Sequence, residues 1–198
     1  GKTEAALLWA NGEKGFYTLP LKVSSNAIYS RIKDRYMYKD VALLHSDSLS
    51  SYFDGTDGQF TDGNTRYEQA KLFSYPLTVC TVDQLFKFVY KAPGTEIFAA
   101  TLKYSKLIID EIQSYSPKIV AALIYGLSEL KRMEGKFAII TATFPPVLEF
   151  FMRKYGLIKD RDYIFRDFST TMGTDRHRIA LFHEEFDFDR IAEDGYKK

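Results

Sequence analysis

The sequence predicts an α/β fold, a mostly parallel sheet with helices on both faces in three α/β/α layers, and three observations point there. Short β-branched or aromatic runs alternate along the chain with helix-length amphipathic segments. Two of those runs, residues 41–45 and 107–109, are apolar without alternation, the pattern of strands buried on both sides. The length, 198 residues of which 45% are apolar and 27% charged, suits one large core and is cramped for two.

Taken in order, residues 3–10 are rich in Ala, Leu and Glu and close on Asn11-Gly12, a helix with its stop. Residues 15–20 read as a strand ended by Pro20, and residues 24–36 as a helix with Ala27, Ile28, Ile32 and Tyr36 on one face. After the strand at 41–45, residues 46–65 carry Asp54-Gly55, Asp57-Gly58 and Asp62-Gly63, which predict a surface excursion built of turns. No register of those aspartates gives the ligand order of a calcium loop, so turn chemistry is preferred. Residues 77–81 are a strand, 82–90 a helix with Leu85, Phe86 and Val89 inward, and 106–110 a strand. Ser116-Pro117 opens a long helix whose Val120, Leu123, Ile124 and Leu127 share a stripe and whose stop is Gly135. A strand at 137–140, a helix at 147–155 and one more strand at 178–182 complete the expectation.

Composition narrows the function. With 27 basic and 26 acidic side chains the net charge is +1, so any surface for a polyanion or a membrane must be local. No apolar run approaches the roughly 20 residues of a membrane helix. Cys80 has no partner for an intramolecular disulfide, which fits a reducing compartment, and reads as a small buried residue in a strand. The aromatic share, 16%, is assigned to core packing, with Phe86, Phe137 and Phe150 inward and Tyr29 and Tyr115 left as candidates for stacking on bases. His183-Glu184-Glu185 is not a zinc-protease motif, because Asp187 stands where the second histidine belongs. His45 and His177 read as surface or packed polar residues.

In a parallel sheet ligands bind beyond the carboxyl ends of the strands. Gly1-Lys2-Thr3 before a helix is the last part of a phosphate-binding loop: free N–H groups and the positive end of the helix dipole face phosphate, lysine neutralises its outer oxygens, and a hydroxyl completes a magnesium shell. Asp110-Glu111 ends an apolar strand, where buried carboxylates need a cationic partner; Asp110 would hold Mg²⁺ and Glu111 would orient and deprotonate a water. Thr141-Ala142-Thr143 again follows an apolar strand, with small hydroxyl residues able to bond neighbouring acids.

Gly1-Lys2-Thr3-Glu4, Asp110-Glu111-Ile112-Gln113 and Thr141-Ala142-Thr143, in this order, resemble motifs I, II and III of superfamily 2 helicases. Within that superfamily the chain most resembles the CRISPR-associated helicase of type I systems, the helicase part of a helicase-nuclease. Glu4, the segment from Leu19-Pro20-Leu21-Lys22 through Asn26 to Arg31, Leu43-Leu44-His45-Ser46 and Thr81-Val82-Asp83-Gln84-Leu85 carry the likeness, which covers residues 1–145. The resemblance implies a RecA-like P-loop NTPase domain over residues 1–160, entered inside its phosphate loop, with residues 161–198 leading to a second RecA-like domain. It implies ATP and Mg²⁺ as cofactors, with Lys2 and Thr3 on them, Gly1, Glu4 and Gln113 beside the nucleotide, Asp110 and Glu111 catalytic, and Thr141 and Thr143 coupling hydrolysis to movement. Lys22, Ser24, Ser25, Thr81 and Gln84 would grip single-stranded DNA locally.

The implied partners are that DNA, an RNA-guided CRISPR surveillance complex, and the second RecA-like and nuclease domains; the implied setting is cytoplasmic antiviral defence, without a membrane. No His-Asp pair marks a nuclease site, and without the second domain's arginine finger the fragment is expected to be inactive. Two positions depart from the family pattern: Gln113, where His is more frequent, implies altered contact to the nucleotide or to neighbouring motifs, and Leu21, where Thr is common, puts one DNA-backbone contact in doubt. Another superfamily 2 member, an RNA helicase or restriction translocase, and a non-catalytic RecA-like docking module are the alternative readings.

Overall fold

Five parallel strands, β1 (Gly15–Leu19), β2 (Val41–Leu44), β3 (Leu77–Thr81), β4 (Lys106–Asp110) and β5 (Lys136–Ile140), pair in the spatial order β2-β3-β1-β4-β5. The computed structural model describes residues 1–36, 38, 40–53, 60–90 and 93–158, and all structural statements concern these. β1 is central, running beside β3 from Gly15↔Leu77 to Leu19↔Thr81 and beside β4 from Gly15↔Lys106 to Thr18↔Ile109. Parallel neighbours force each connection to cross over, and helices fill those crossovers. Those in the crossovers are α2 (Lys22–Ser30), α3 (Phe60–Lys71), α4 (Val82–Leu85), α5 (Glu96–Tyr104) and α6 (Pro117–Arg132), while α1 (Lys2–Ala10) precedes β1 and α7 (Pro146–Lys154) follows β5.

Both faces of the sheet are covered, as the unalternating strands predict. On one face Tyr17, Leu19, Val41, Leu43, Val79 and Ile108 pack with Ala6 and Ala10 of α1 and with Ile32. Small side chains on α1 let its backbone lie close to the sheet. On the other face Ala42 meets Tyr52 and Ala70, and Phe73 bridges the rings of Phe16 at 4.9 Å and Phe98 at 5.0 Å between centroids. Leu43, Val79 and Ile108 are at most 1% exposed, and each such side chain contributes about 1.5–3 kcal/mol through burial. Asn11 caps α1 in the left-handed conformation, φ 52°, its N–H bonded to the Leu7 carbonyl at 3.0 Å.

Several sequence expectations need correction. Residues 60–65 belong to α3, not to a surface excursion. Gly63 is required there by packing: a Cβ on it would lie 2.7 Å from the Phe53 ring. Asp54-Gly55 and Asp57-Gly58 lie outside the described residues. On the face expected over residues 24–36, Ile28, Ile32 and Tyr36 pack against the core, but Ala27 is exposed and Ser25 is buried in its place, three residues before Ile28 on the same stripe; Arg31–Arg35 forms a π-helical turn. The helix at 82–90 tightens after one turn into a 3₁₀ stretch, Phe86–Tyr90, while α5 has no counterpart in the sequence expectation.

Among the aromatics, Phe86 is buried but Phe150 is 60% exposed, and Tyr115, a stacking candidate, is buried at 7%. Phe137 is half-buried because β5 lies at the sheet edge. Cys80 is fully buried, and burial pushes its thiol far up. His177, His183 and the strand expected at 178–182, with the whole of 161–198, lie outside the described residues. No described helix is long and apolar enough to cross a membrane.

Gly126 lies where α6 crosses the Phe86–Tyr90 turn, and a Cβ there would meet the Phe86 ring at 2.2 Å. Substitution to Ala raises helix propensity by about 1 kcal/mol, but overpacking costs roughly 1–3 kcal/mol. Gly126→Ala is expected to lower unfolding free energy by about 1 kcal/mol in urea melts; a stabilised variant would show that the contact relaxes freely.

Candidate nucleotide-binding site

The amino end of α1 and the carboxyl ends of β1, β4 and β5 converge on one group of polar side chains. Gly1 is the N-cap of α1 and makes no side-chain cap bond; its carbonyl accepts the Ala5 N–H at 3.1 Å. The first-turn amides, of Lys2, Thr3 and Glu4, precede the first intrahelical donor and are the groups such a helix offers an anion. Lys2 Nζ donates to Glu111 Oε1 and stands 4.0 Å from Asp110 Oδ1. Thr3 is buried beside them. Glu4 turns elsewhere, accepting a bond from the Tyr36 hydroxyl and tying α1 to the residues that follow the π turn.

Asp110 is 4% exposed, and the pairing of β1 with β4 explains its environment. Tyr17 is opposite Ile108, and Asp110, two residues on, points to the same face. The Tyr17 hydroxyl donates to Asp110 Oδ2 at 2.6 Å, while Oδ1 is buried with no hydrogen-bond partner. Burial pushes the Asp110 carboxyl above its usual range, against the Tyr17 bond and the charge of Lys2. A buried carboxylate oxygen without a partner is costly. A carboxylate oxygen without a hydrogen bond and a threonine hydroxyl are both ligand types that a hard divalent cation takes.

Glu111 occupies the left-handed region, φ 53°, which a non-glycine residue adopts at a cost of about 1–3 kcal/mol. That conformation turns the chain out of β4, so Asp110 stays inside while the adjacent Glu111 carboxylate is half-exposed beside Lys2. Its N–H bonds the Ile140 carbonyl at 2.9 Å, anchoring the turn to the end of β5. Lys2 holds the Glu111 carboxyl below its usual range. Gln113 donates from Nε2 to Glu111 Oε2, and the Thr141 hydroxyl faces Gln113 Oε1 and the Thr143 carbonyl, sharing one proton between them. Thr141 also accepts the Thr143 N–H at 3.3 Å. Lys2, Glu111, Gln113, Thr141 and Thr143 thus form a continuous polar chain from α1 to the residues after β5.

The residues expected on nucleic acid lie along the same end of the sheet, because Leu19↔Thr81 sets the segments after β1 and β3 side by side. Lys22 pairs with Asp47 at 2.6 Å, Ser24 is half-buried, and Gln84 donates to Asp83 at 2.7 Å. Thr81 is 7% exposed at the start of α4. Ser25 is a correction: it is fully buried, and its hydroxyl donates back to the Leu21 carbonyl at 3.1 Å, so it braces α2 and is not offered to a ligand. His45 is packed, with Nδ1 accepting the Asp47 N–H at 3.2 Å and Nε2 2.8 Å from Asn26 Oδ1, which makes Nε2 the protonated nitrogen. Sequence reasoning missed Tyr17 at the acidic site. The available signal was a tyrosine inside a strand buried on both sides, whose hydroxyl must find a partner.

Two measurements test this geometry. Glu111→Gly is expected to be more stable than Glu111→Ala by about 1 kcal/mol, since only glycine adopts the left-handed turn without strain; equal urea midpoints would remove the strain from the account. His45, facing Asp47, Lys22 and Asp83, is held below its ordinary value of 6.5 by burial. The unfolded chain then takes up a proton that the folded one refuses, so this contribution is complete above that value and declines as pH falls below it. His45→Gln is expected to flatten the loss of thermal stability from roughly pH 7 to 5; an unchanged slope would assign it elsewhere.

No protein-family model matches the chain. It is 32% identical over 158 residues to the CRISPR-associated nuclease/helicase Cas3 of Methanothermobacter thermautotrophicus, covering 77% of this chain and 19% of that protein. It is 29% identical over 174 residues to a putative CRISPR-associated nuclease/helicase Cas3 of Methanocaldococcus jannaschii, covering 82% and 24%. The chain therefore spans about a fifth to a quarter of the length of these relatives. In fold it is similar to the crystal structure of T. fusca Cas3, with TM-score 0.66, 23% identity and 79% of this chain matched to 19% of that one. The structure described as T. fusca Cas3-ATP aligns at TM-score 0.65 and 24% identity, over 79% of this chain and 19% of that one. The five-stranded parallel sheet has the fold of these solved structures, and 32% identity across 77% of the chain means that it belongs to the Cas3 family of CRISPR-associated nuclease/helicases.

Proposed function

We propose that the chain binds and hydrolyses Mg²⁺-ATP as one half of a motor that moves along single-stranded DNA in CRISPR antiviral interference. The observation that carries this reading is the buried, unpartnered Oδ1 of Asp110, with Thr3 and Lys2 beside it at the start of α1. Thr3 and Asp110 would hold the cation, which when bound supplies positive charge to phosphate oxygens. Gly1 and the first-turn amides of α1 receive phosphate, and Lys2 neutralises its outer oxygens. Lys2 donates to Glu111, so a phosphate that draws Lys2 away frees Glu111 to orient and deprotonate a water. Gln113 and Thr141 then transmit the change at Glu111 to Thr143 and the segment after β5.

The DNA contacts proposed are Lys22, Ser24, Thr81 and Gln84, a small footprint in keeping with a net charge of +1. Residues 1–160 are proposed to be one RecA-like domain and 161–198 the passage to a second, whose arginine finger is worth roughly 10³ or more in rate. The nuclease domain and an RNA-guided surveillance complex complete the proposed assembly. In the intact protein, Lys2→Ala is expected to abolish nucleotide-dependent binding to single-stranded DNA, and Glu111→Gln to lower ATP turnover at least about 100-fold with nucleotide binding retained. DNA binding indifferent to nucleotide and to Lys2→Ala would instead identify a docking module.

A further inference from the structure

We propose that Tyr17 is a positioning residue for the divalent cation of this site, its one hydroxyl holding Asp110 so that Oδ1 is the oxygen presented to the ion. The inference rests on the nucleotide-binding reading above and adds a residue to it. Tyr17 is 0% exposed in the central strand, so its hydroxyl can be satisfied only by protein. A phenol has one proton, which Tyr17 donates to Asp110 Oδ2 at 2.6 Å.

The geometric consequence concerns Oδ1. With Oδ2 occupied by Tyr17, the carboxylate cannot rotate without breaking a buried bond, and Oδ1 is the oxygen left for a cation. Outer-shell partners of this kind orient ligands that would otherwise sample several rotamers, and their loss lowers metal affinity about 10–100-fold. Tyr17 touches neither phosphate nor water in this scheme. It acts through Asp110.

The test follows a fluorescent ADP analogue bound to the intact protein, titrated with Mg²⁺ after binding in EDTA, for wild type, Tyr17→Phe and Asp110→Ala. Tyr17→Phe is expected to raise the half-saturating Mg²⁺ concentration about tenfold or more while leaving affinity for the analogue in EDTA unchanged. Equal weakening in EDTA and in Mg²⁺ would indicate a merely structural bond and overturn the proposal. Mg²⁺ dependence lost in Asp110→Ala but intact in Tyr17→Phe would overturn it alone; no Mg²⁺ dependence in wild type would overturn the nucleotide reading and this inference with it. If Tyr17→Phe does not fold, 3-fluorotyrosine placed at position 17 keeps the hydroxyl. Its ¹⁹F resonance is expected to shift when Mg²⁺ is added to the ADP-bound protein, and a resonance that does not move would sink the assignment.

Discussion

The carboxylate of Asp110 is buried at the end of β4, bonded on one oxygen by Tyr17 and bare on the other, and much of the molecule is arranged around that condition. A charge in this position destabilises the fold unless dipoles and cations oppose its desolvation. The β1–β4 register supplies the phenol, α1 supplies Lys2 and Thr3, and the sheet's covered faces keep water away. A protein built for stability alone would place an apolar residue there. The tolerated penalty supports the proposed cation site.

Glu111 adds a second strained feature one residue later. Successive residues in a strand point to opposite faces, so two adjacent acids could not serve one ligand if β4 simply continued. The left-handed turn at Glu111 solves this, and the bond from its N–H to Ile140 holds the turn against relaxation. The same turn starts the path through Gln113 to Thr141, so the conformation that aims the carboxylate also wires it to the next strand end. Gln113 in place of a more frequent histidine fits this arrangement, because an amide donates to Glu111 and accepts from Thr141 at once without depending on protonation.

The edge proposed to meet nucleic acid is organised differently. Lys22 and Asp47 neutralise each other at 2.6 Å on an exposed surface, where such a pair is worth little and exchanges readily for a phosphate. His45, by contrast, is buried and neutral, and its two nitrogens hold the backbone of Asp47 and the amide of Asn26. A chain with no net positive field can still present a local grip if its few cations are placed by such buried polar supports.

By itself the sequence determined the class of fold, the ranges of β3 and β4, and the three motif segments, because each depends on local information: unalternating apolar runs, a Ser-Pro helix start, Lys-Thr before a helix and paired acids after a strand. Boundaries failed where packing outweighed local preference. Asp62-Gly63 reads as a turn, yet Gly63 is helical and packs where a Cβ would meet the Phe53 ring, and Ser25 reads as a surface hydroxyl although it lies on the buried stripe of α2 with Ile28 and Ile32. Only the tertiary structure decided which oxygen of Asp110 is free, that Glu111 leaves the strand at positive φ, and that Tyr17 belongs to the site. Those facts arise from strand register and helix placement between residues as much as 109 positions apart, distances over which no local pattern carries information.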